Sequence, residues 1–236
     1  EGEIFFEGVN TTDPVEARKN RKTLQTQRQI IFQDSASSLN QRMTVQEIIA
    51  EPMKINHVKP PRGTYRAEAA FQLKYVGLDE SFLDKYPSEM SGGQRQRVAI
   101  ARALSMEPDL LVADEPIASL DVSIQAQIVN LFKHLQKEHG FSILFIAHDL
   151  AMVEYLCDRI GVMYRGCLVE LAPTEELFRN PLHPYTQMLL SAIPYPDPIR
   201  ERNRPRINTE EMEFDTDGVL LEVTPGHYVL RKGAEA

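Results

Sequence analysis

The second half of the chain alternates short apolar runs with longer amphipathic stretches. LLVA (110–113) lies between prolines, and FSILFIA (141–147) is the longest strand-like run. Such runs are typical of parallel strands buried on both faces. Between them, residues 124–140 carry apolar side chains at helical spacing and end at a glycine, which predicts a helix. RIGVMY and RGCLVEL (159–171) predict a strand and hairpin. Alternating strands and helices predict an α/β fold with a parallel sheet.

The first half predicts two short strands and then mainly helices. EIFF (3–6) and RQIIFQ (28–33) are strand-like, and residues 13–29 are charged and compatible with a helix. From there to about residue 100 the pattern is helical, including 45–53 and 66–78. Beyond residue 173, short helices are predicted at 174–178 and within 180–194, and the remainder is charged and rich in proline.

Composition narrows the class of protein. A chain of 236 residues with 42% apolar residues can bury a substantial core. The net charge of −8 argues against a nucleic-acid partner, because phosphate backbones are held by clustered Lys and Arg. Arg18–Lys22 and the pair Arg95 and Arg97 are interpreted as solvated helix faces. No apolar run approaches the ~20 residues that span a bilayer, and two cysteines are too few for a disulfide scaffold or a cysteine metal site. We expect a reducing, cytosolic compartment, with membrane contact only through a partner protein.

The stretch MSGGQRQRVAIARAL (90–104) predicts a helix that begins with two glycines. Ser91 and Gln94 fit a capping box. A cap does not explain Gly92 and Gly93, each of which costs up to about 1 kcal/mol relative to alanine inside a helix. The missing Cβ lets another group approach the backbone closely, and an anion suits the free N–H groups and the helix dipole. We therefore expect a phosphate site here.

Polar residues follow both buried strands. Asp114 and Glu115 follow LLVA, while His148 and Asp149 follow LFIA. Ligands bind beyond the carboxyl ends of parallel strands, so these groups are expected to converge if the strands are neighbours. A carboxylate there suits Mg²⁺, a second can act as general base on water, and a histidine can donate to a phosphate oxygen. The alternative is that Asp114 and Glu115 cap the next segment and that His148 is an ordinary polar residue.

The order of these features resembles the ATP-binding subunits of ABC transporters. The matching motifs are Gln33, SGGQ (91–94), LLVADEP (110–116), SLD (119–121) and AHD (147–149). The resemblance implies a RecA-like parallel-sheet core with an inserted helical subdomain, and binding of ATP and Mg²⁺. It implies four segments: 1–35, the remainder of an N-terminal β/core region ending in the Q-loop; 36–100, the helical subdomain with the signature motif; 101–172, the ATPase core with Walker B, D-loop and switch histidine; and 173–236, an irregular importer-type extension.

Four residues have implied roles in hydrolysis. Gln33 is expected to be the Q-loop glutamine, which reaches magnesium and the attacking water and senses the membrane subunit. Asp114 is expected to be the Walker B aspartate near magnesium. Glu115 is the implied catalytic base, and His148 the implied switch histidine.

Five further residues have implied roles between subunits. Ser91, Gly92, Gly93 and Gln94 match the signature motif, which in this family grips the γ-phosphate of ATP bound to the partner subunit. Asp121 matches the D-loop at the dimer interface. The resemblance therefore implies a dimer with two composite ATP sites.

The C-terminal part resembles one branch of the family. NPLHPYTQMLL (180–190) and PGHYV (225–229) look like the extension of oligopeptide and dipeptide importers, and IFQDSASSLNQRMTV (31–45) resembles the same branch. The branch implies peptide import at the cytoplasmic face of the membrane. The implied partners are a second ATPase subunit, identical or homologous, two permease subunits, and indirectly an extracellular solute-binding protein. The alternative for 180–190 is a proline-initiated surface helix in which His183 and Tyr185 simply pack.

The sequence departs from the family pattern in two ways, in its P-loop and in its C-terminal cysteines. None of the twelve glycines is followed by lysine, so the P-loop motif G-x-x-x-x-G-K-[ST] is absent from these residues. We expect either the remainder of a longer subunit or a chain that does not bind ATP itself, and little ATPase activity from the 236 residues alone. No cysteine follows Cys167, so we expect no iron–sulfur cluster, and we interpret Cys157 and Cys167 as packed thiols.

The sequence alone leaves three alternative functions open. One is a non-catalytic ABC subunit that contributes only its signature face. A second is an importer of another small solute, such as nickel or a sugar. A third is a soluble ABC-type ATPase that acts on DNA or ribosomes, which the acidic charge and the importer-like tail disfavour.

Overall fold

A computed structural model describes residues 2–118, 120–193, 214 and 216–232, with the backbone alone at Ala36. Ser119 of the SLD motif and residues 194–213, 215 and 233–236 of the predicted extension lie outside the described residues. In the described part, the helices are α1 Pro14–Lys19, α2 Arg21–Gln27, α3 Ser35–Ser38, α4 Val45–Ile55, α5 Tyr65–Tyr75, α6 Gly92–Leu104, α7 Val122–His139, α8 Leu150–Leu156, α9 Thr174–Arg179 and α10 Pro184–Ser191. The strands are β1 Phe5–Phe6, β2 Val9–Asn10, β3 Arg28–Ile31, β4 Leu110–Asp114, β5 Ser142–Ile146, β6 Arg159–Tyr164, β7 Cys167–Pro173, β8 Val219–Thr224 and β9 His227–Arg231. The chain divides into two compact units, 1–148 and 149–236.

The first unit is built on a parallel sheet in the order β3-β4-β5. The two apolar runs predicted as strands are therefore neighbours, and Asp114 pairs with Ile146 at their carboxyl ends. One face of the sheet is fully buried at Ile31 and Leu111. The α7 helix packs on the sheet through Phe132, whose ring meets Phe145 edge-on at 5.9 Å. The predicted α/β fold with a parallel sheet is confirmed.

The N-terminal residues form shorter elements than the pattern predicts. β1 and β2 pair antiparallel across a turn in which Glu7 and Gly8 both have positive φ. The helix-compatible stretch 13–29 is divided at Asn20, which ends α1 and begins α2. Asp13 caps α1 by accepting hydrogen bonds from two backbone N–H groups of the first turn.

Residues 35–104 form the helical part of the first unit, where α4, α5 and α6 pack on one another. Thr44 begins α4 with a capping box that it shares with Glu47. The apolar positions of α4 and α6 recur at helical spacing and are buried, except for Ile55 at the end of α4. The largest fully buried side chains of α4, α5 and α6 are Ile48, Ile49, Met53, Leu73 and Ile100.

The second unit contains an antiparallel sheet in the order β6-β7-β9-β8. The strand and hairpin predicted at 159–171 are present as β6 and β7, and the assignment of 101–172 to one ATPase core stays a prediction. Arg165 and Gly166 both have positive φ, which suits a tight hairpin turn, and such a turn joins antiparallel strands. The prediction of an irregular extension over 173–236 was wrong for its described end, because Val219–Thr224 and His227–Arg231 form β8 and β9 of this sheet. Gly226, at φ +78°, lies in the turn between them. Among the residues that the structure describes, no helix is long and apolar enough to cross a membrane.

Candidate functional site

Three of the predicted residues meet at the carboxyl edge of the parallel sheet. Gln33 lies just after β3, Glu115 follows β4 and His148 follows β5. The Gln33 Nε2 group donates a hydrogen bond to Glu115 Oε2 at 3.0 Å. His148 Nδ1 lies 3.4 Å from the same oxygen. The two outer strands therefore each deliver one polar residue to the carboxylate that follows the central strand.

Glu115 is held in an unusual backbone conformation. Its φ is +42°, in the left-handed region that residues other than glycine rarely adopt. Its N–H donates to the carbonyl oxygen of Ile146 at 2.9 Å, which extends the pairing of β4 and β5 by one residue. Such local strain persists only where surrounding contacts hold it, and it is common at functional sites. The result is a carboxylate aimed at Gln33 and His148.

The site is open to a ligand from solvent. The Glu115 side chain retains 29% exposure, and His148 retains 72%. Within the described part of the chain both contacts of the Glu115 carboxylate fall on Oε2. In the described residues the Glu115 carboxylate contacts the side chains of Gln33 and His148, and the capping alternative stays open.

The donor set of this edge fits a magnesium ion shared with a substrate. Asp114 is the last residue of β4 and is partly exposed beside Glu115. The described residues contain no cluster of three or more His, Cys, Asp or Glu that could hold a metal alone. Mg²⁺ prefers oxygen ligands and is usually bound by one or two carboxylates together with waters and substrate phosphates. Asp114 supplies one such carboxylate, and the part that Asp114 and the amide oxygen of Gln33 play in holding the ion stays a prediction.

The SGGQ stretch begins α6 as predicted. Gln94 N–H donates to Ser91 Oγ at 3.3 Å, and Ser91 N–H donates to Gln94 Oε1 at 2.9 Å, so the capping box is confirmed. The structure adds a reason for the second glycine. A Cβ on Gly93 would lie 2.7 Å from Ile124 Cγ2, and one on Gly92 would lie 3.5 Å from a methyl of Leu120. Packing inside this chain therefore requires glycine at 93, and the predicted contact with a phosphate stays a prediction.

The structure corrects the prediction that the two arginines after this motif lie on solvated helix faces. Arg95 Nη1 donates to the carbonyl oxygen of Met90, and Arg97 donates to Val76 and to Gln127 Oε1. Burial lowers the pKa of Arg97. Their interpretation as solvated helix faces was wrong, because both guanidinium groups satisfy carbonyl oxygens in the helical part of the unit.

Asp121 has a structural role within this chain. It caps α7, accepting hydrogen bonds from Ile124 N–H at 3.4 Å and from Ser123 Oγ at 2.9 Å. A short polar side chain of this kind satisfies the free N–H groups of the first turn. Its implied position at a dimer interface stays a prediction.

A buried polar cluster in the second unit was missed by the sequence analysis. Glu170 and His227 have no exposed surface, and Glu170 Oε1 lies 2.7 Å from His227 Nε2. The carboxylate also accepts hydrogen bonds from the N–H groups of Leu182 and His183. His183 is itself buried and caps α10, with Nδ1 accepting from Tyr185 N–H at 3.2 Å. A glutamate inside the apolar run CLVEL was the signal available in the sequence.

The sequence matches two known families. Residues 1–118 match the family described as ABC transporter, and residues 169–218 match the oligopeptide/dipeptide transporter C-terminal region. The chain is 52% identical to the oligopeptide transport ATP-binding protein OppF of Bacillus subtilis, over 100% of this chain and 78% of that protein. It is 47% identical to the dipeptide transport ATP-binding protein DppF of Lactococcus lactis, over 100% of this chain and 75% of that protein.

Solved structures support the same fold. A dimeric ATP-binding cassette in a post-hydrolysis state with ADP and Pi superposes with a TM-score of 0.63 at 29% identity, covering 74% of each chain. The cbiO1 protein of Clostridium perfringens, part of an ABC transporter complex, superposes with a TM-score of 0.64 at 31% identity. That match covers 76% of this chain and 69% of the other.

Proposed function

This chain belongs to the ABC transporter family of ATP-binding proteins, and we propose that it couples ATP hydrolysis to the import of oligopeptides or dipeptides. The observation that carries the hydrolytic part is the convergence of Gln33 and His148 on Oε2 of Glu115. The peptide part is supported by the C-terminal region and by the names of the relatives. The fold is the RecA-like α/β core of this family.

Glu115 acts as the general base in this proposal. Its Oε1 accepts a proton from a water that attacks the γ-phosphorus of ATP, and the products are ADP and phosphate. Gln33 holds Oε2 through its amide N–H, which orients the carboxylate. His148 lies within reach of both Oε2 and solvent, so it can donate to a γ-phosphate oxygen. Asp114 and the amide oxygen of Gln33 would hold Mg²⁺, which neutralises charge on the phosphates.

The signature motif serves a second ATPase subunit. Ser91, Gly92, Gly93 and Gln94 offer a capped helix N-terminus to the γ-phosphate of the partner's ATP, and Asp121 lies at the dimer interface. The dimer attaches to the cytoplasmic face of the membrane beneath two permease subunits, which receive peptide from an extracellular binding protein.

Glu115→Gln tests the hydrolytic part in the full-length subunit assembled with its transporter. The amide keeps the shape of the side chain and loses the basic oxygen, so turnover is expected to fall by at least about a hundredfold. Binding of Mg-ATP, measured by titration calorimetry, is expected to stay within about threefold of wild type. Glu175→Gln, whose side chain is 87% exposed, is the matched control and should retain full turnover. Undiminished phosphate release by Glu115→Gln would exclude Glu115 as the base.

Transport in proteoliposomes tests the peptide part. Complexes that contain wild type should accumulate a labelled tripeptide or tetrapeptide only with ATP and the binding protein, and Glu115→Gln should abolish that accumulation. Labelled nickel and a labelled sugar are the comparison solutes. Accumulation of either in place of peptide would overturn the proposed substrate class and leave the hydrolytic assignment intact.

A further inference from the structure

We propose that Ile124 and Gln127 of α7 are positioning residues for the signature helix α6, and this rests on the proposed function. Both side chains lie on α7 and meet α6 at two successive points. The signature motif begins α6, and α7 begins just after the loop that follows Glu115. The two residues therefore link the helix that faces the partner's ATP to the segment that carries the catalytic glutamate.

The first contact is steric. A Cβ on Gly93 would lie 2.7 Å from Ile124 Cγ2, closer than real Cβ contacts, and 3.8 Å from Ile124 Cβ, an ordinary distance. Isoleucine is branched at Cβ and stiff about χ1, so its methyl group does not swing away cheaply. The backbone of α6 at Gly93 therefore rests directly on the Ile124 side chain.

The second contact lies one turn further along both helices. Arg97 Nη2 donates to Gln127 Oε1 at 3.1 Å, while Nη1 of the same guanidinium donates to the carbonyl oxygen of Val76. A Cβ on Gly77 would lie 3.2 Å from that Nη1 atom. Arg97 is thereby bonded both to α7 and to the C-cap of α5, so Gln127 gives α6 a second link to α7.

The start of α7 is tied to the loop after Glu115. Asp121 caps the helix at Ile124 N–H, and Gln125 Nε2 donates to the carbonyl oxygen of Ile117 at 3.1 Å. These hydrogen bonds and the contact between Ile124 and Gly93 make a continuous path from that loop to the signature motif. Spatial continuity alone does not establish coupling, so a double-mutant cycle is the required test.

The cycle uses the full-length subunit in the assembled transporter, with Gly93→Ala on three backgrounds. On wild type, the added methyl overpacks against Ile124, and the kcat for ATP is expected to fall at least about tenfold with KM within about threefold. Ile124→Ala removes Cγ2, and the Cβ that it keeps lies at 3.8 Å, so on this background the loss of kcat caused by Gly93→Ala should be at least about threefold smaller than on wild type. Ile124→Val keeps a branched Cβ and should not rescue the kcat of Gly93→Ala.

Gln127→Ala should lower kcat several-fold. Gln127→Glu keeps an acceptor for Arg97, so its kcat should stay near that of wild type.

Two readouts separate this inference from the proposed function. Thermal unfolding without ATP reports packing alone: Gly93→Ala should lower the melting temperature, with recovery on Ile124→Ala and none on Ile124→Val. If the melting temperatures show no coupling between positions 93 and 124, the positioning role is wrong. It is also wrong if the melting temperatures show coupling and the kcat values show none. If Gly93→Ala is equally inactive on all backgrounds, glycine is needed only by the phosphate and the inference fails. If wild type hydrolyses no ATP, the proposed function fails, and the melting cycle still tests the contact.

Discussion

Replacement of Glu170 by alanine removes the acceptor at the centre of the buried cluster in the second unit. Its Oε1 accepts from Leu182 N–H at 2.8 Å and lies 2.7 Å from His227 Nε2, and its Oε2 accepts from His183 N–H at 3.0 Å. Glu170 and His227 are both fully buried.

The expected cost follows from the groups left unpaired. Each of the two backbone N–H groups loses its acceptor in the interior, at about 1–3 kcal/mol each. The loss of the His227 partner brings the total to roughly 3–6 kcal/mol, similar to the cost of breaking other buried pairs. This is a large part of the roughly 5–15 kcal/mol that stabilises a typical domain. Glu170→Gln keeps one oxygen acceptor, so about half of the loss is expected.

Urea unfolding of the full-length protein measures the effect. Far-UV circular dichroism is the suitable signal, because the chain has no tryptophan. Hydrogen exchange should accelerate at the amides of Leu182 and His183, which localises the loss. Glu175→Ala, at an exposed site, is the control and should change the free energy of unfolding by less than about 0.5 kcal/mol. A loss below about 1 kcal/mol for Glu170→Ala, with unchanged exchange, would refute the reasoning.

Two further predictions concern stability. Burial lowers the pKa of His183 below its ordinary 6.5, and Glu170 opposes this shift in part. As pH falls below 6.5, the unfolded chain binds a proton that the folded chain does not, so the free energy of unfolding should decrease. Urea titrations between about pH 7.5 and 5.5 should show a smaller decrease for His183→Asn, and an equal decrease would contradict the assignment. Gly140 ends α7 at φ +72° with open space around its Cβ position. Gly140→Ala should therefore cost about 1 kcal/mol from backbone strain alone and Gly140→Asn less, as measured by thermal unfolding; no loss for alanine would contradict this.

Local features of the fold were predictable from local residues. The capping box of Ser91 and Gln94 and the end of α7 at Gly140 each depend on side chains within a few positions of the backbone that they serve. The parallel strands β4 and β5 were predictable because continuous apolar runs are typical of strands buried on both faces. The family resemblance was likewise carried by short motifs in a fixed order, and it is confirmed.

Contacts between distant residues were decided by the tertiary structure. Gln33 and Glu115, separated by 82 positions, share a hydrogen bond only because β3 and β4 are neighbours in the sheet. Glu170 and His227, separated by 57 positions, pair only because β7 lies beside β9. Gly93 looked like a site for a phosphate, and the structure shows that it also makes room for Ile124. The sequence by itself determined caps, helix ends and the buried parallel strands, since propensity, capping and periodicity act over a few residues. Which side chains meet depends on how those segments pack, and no local pattern records that.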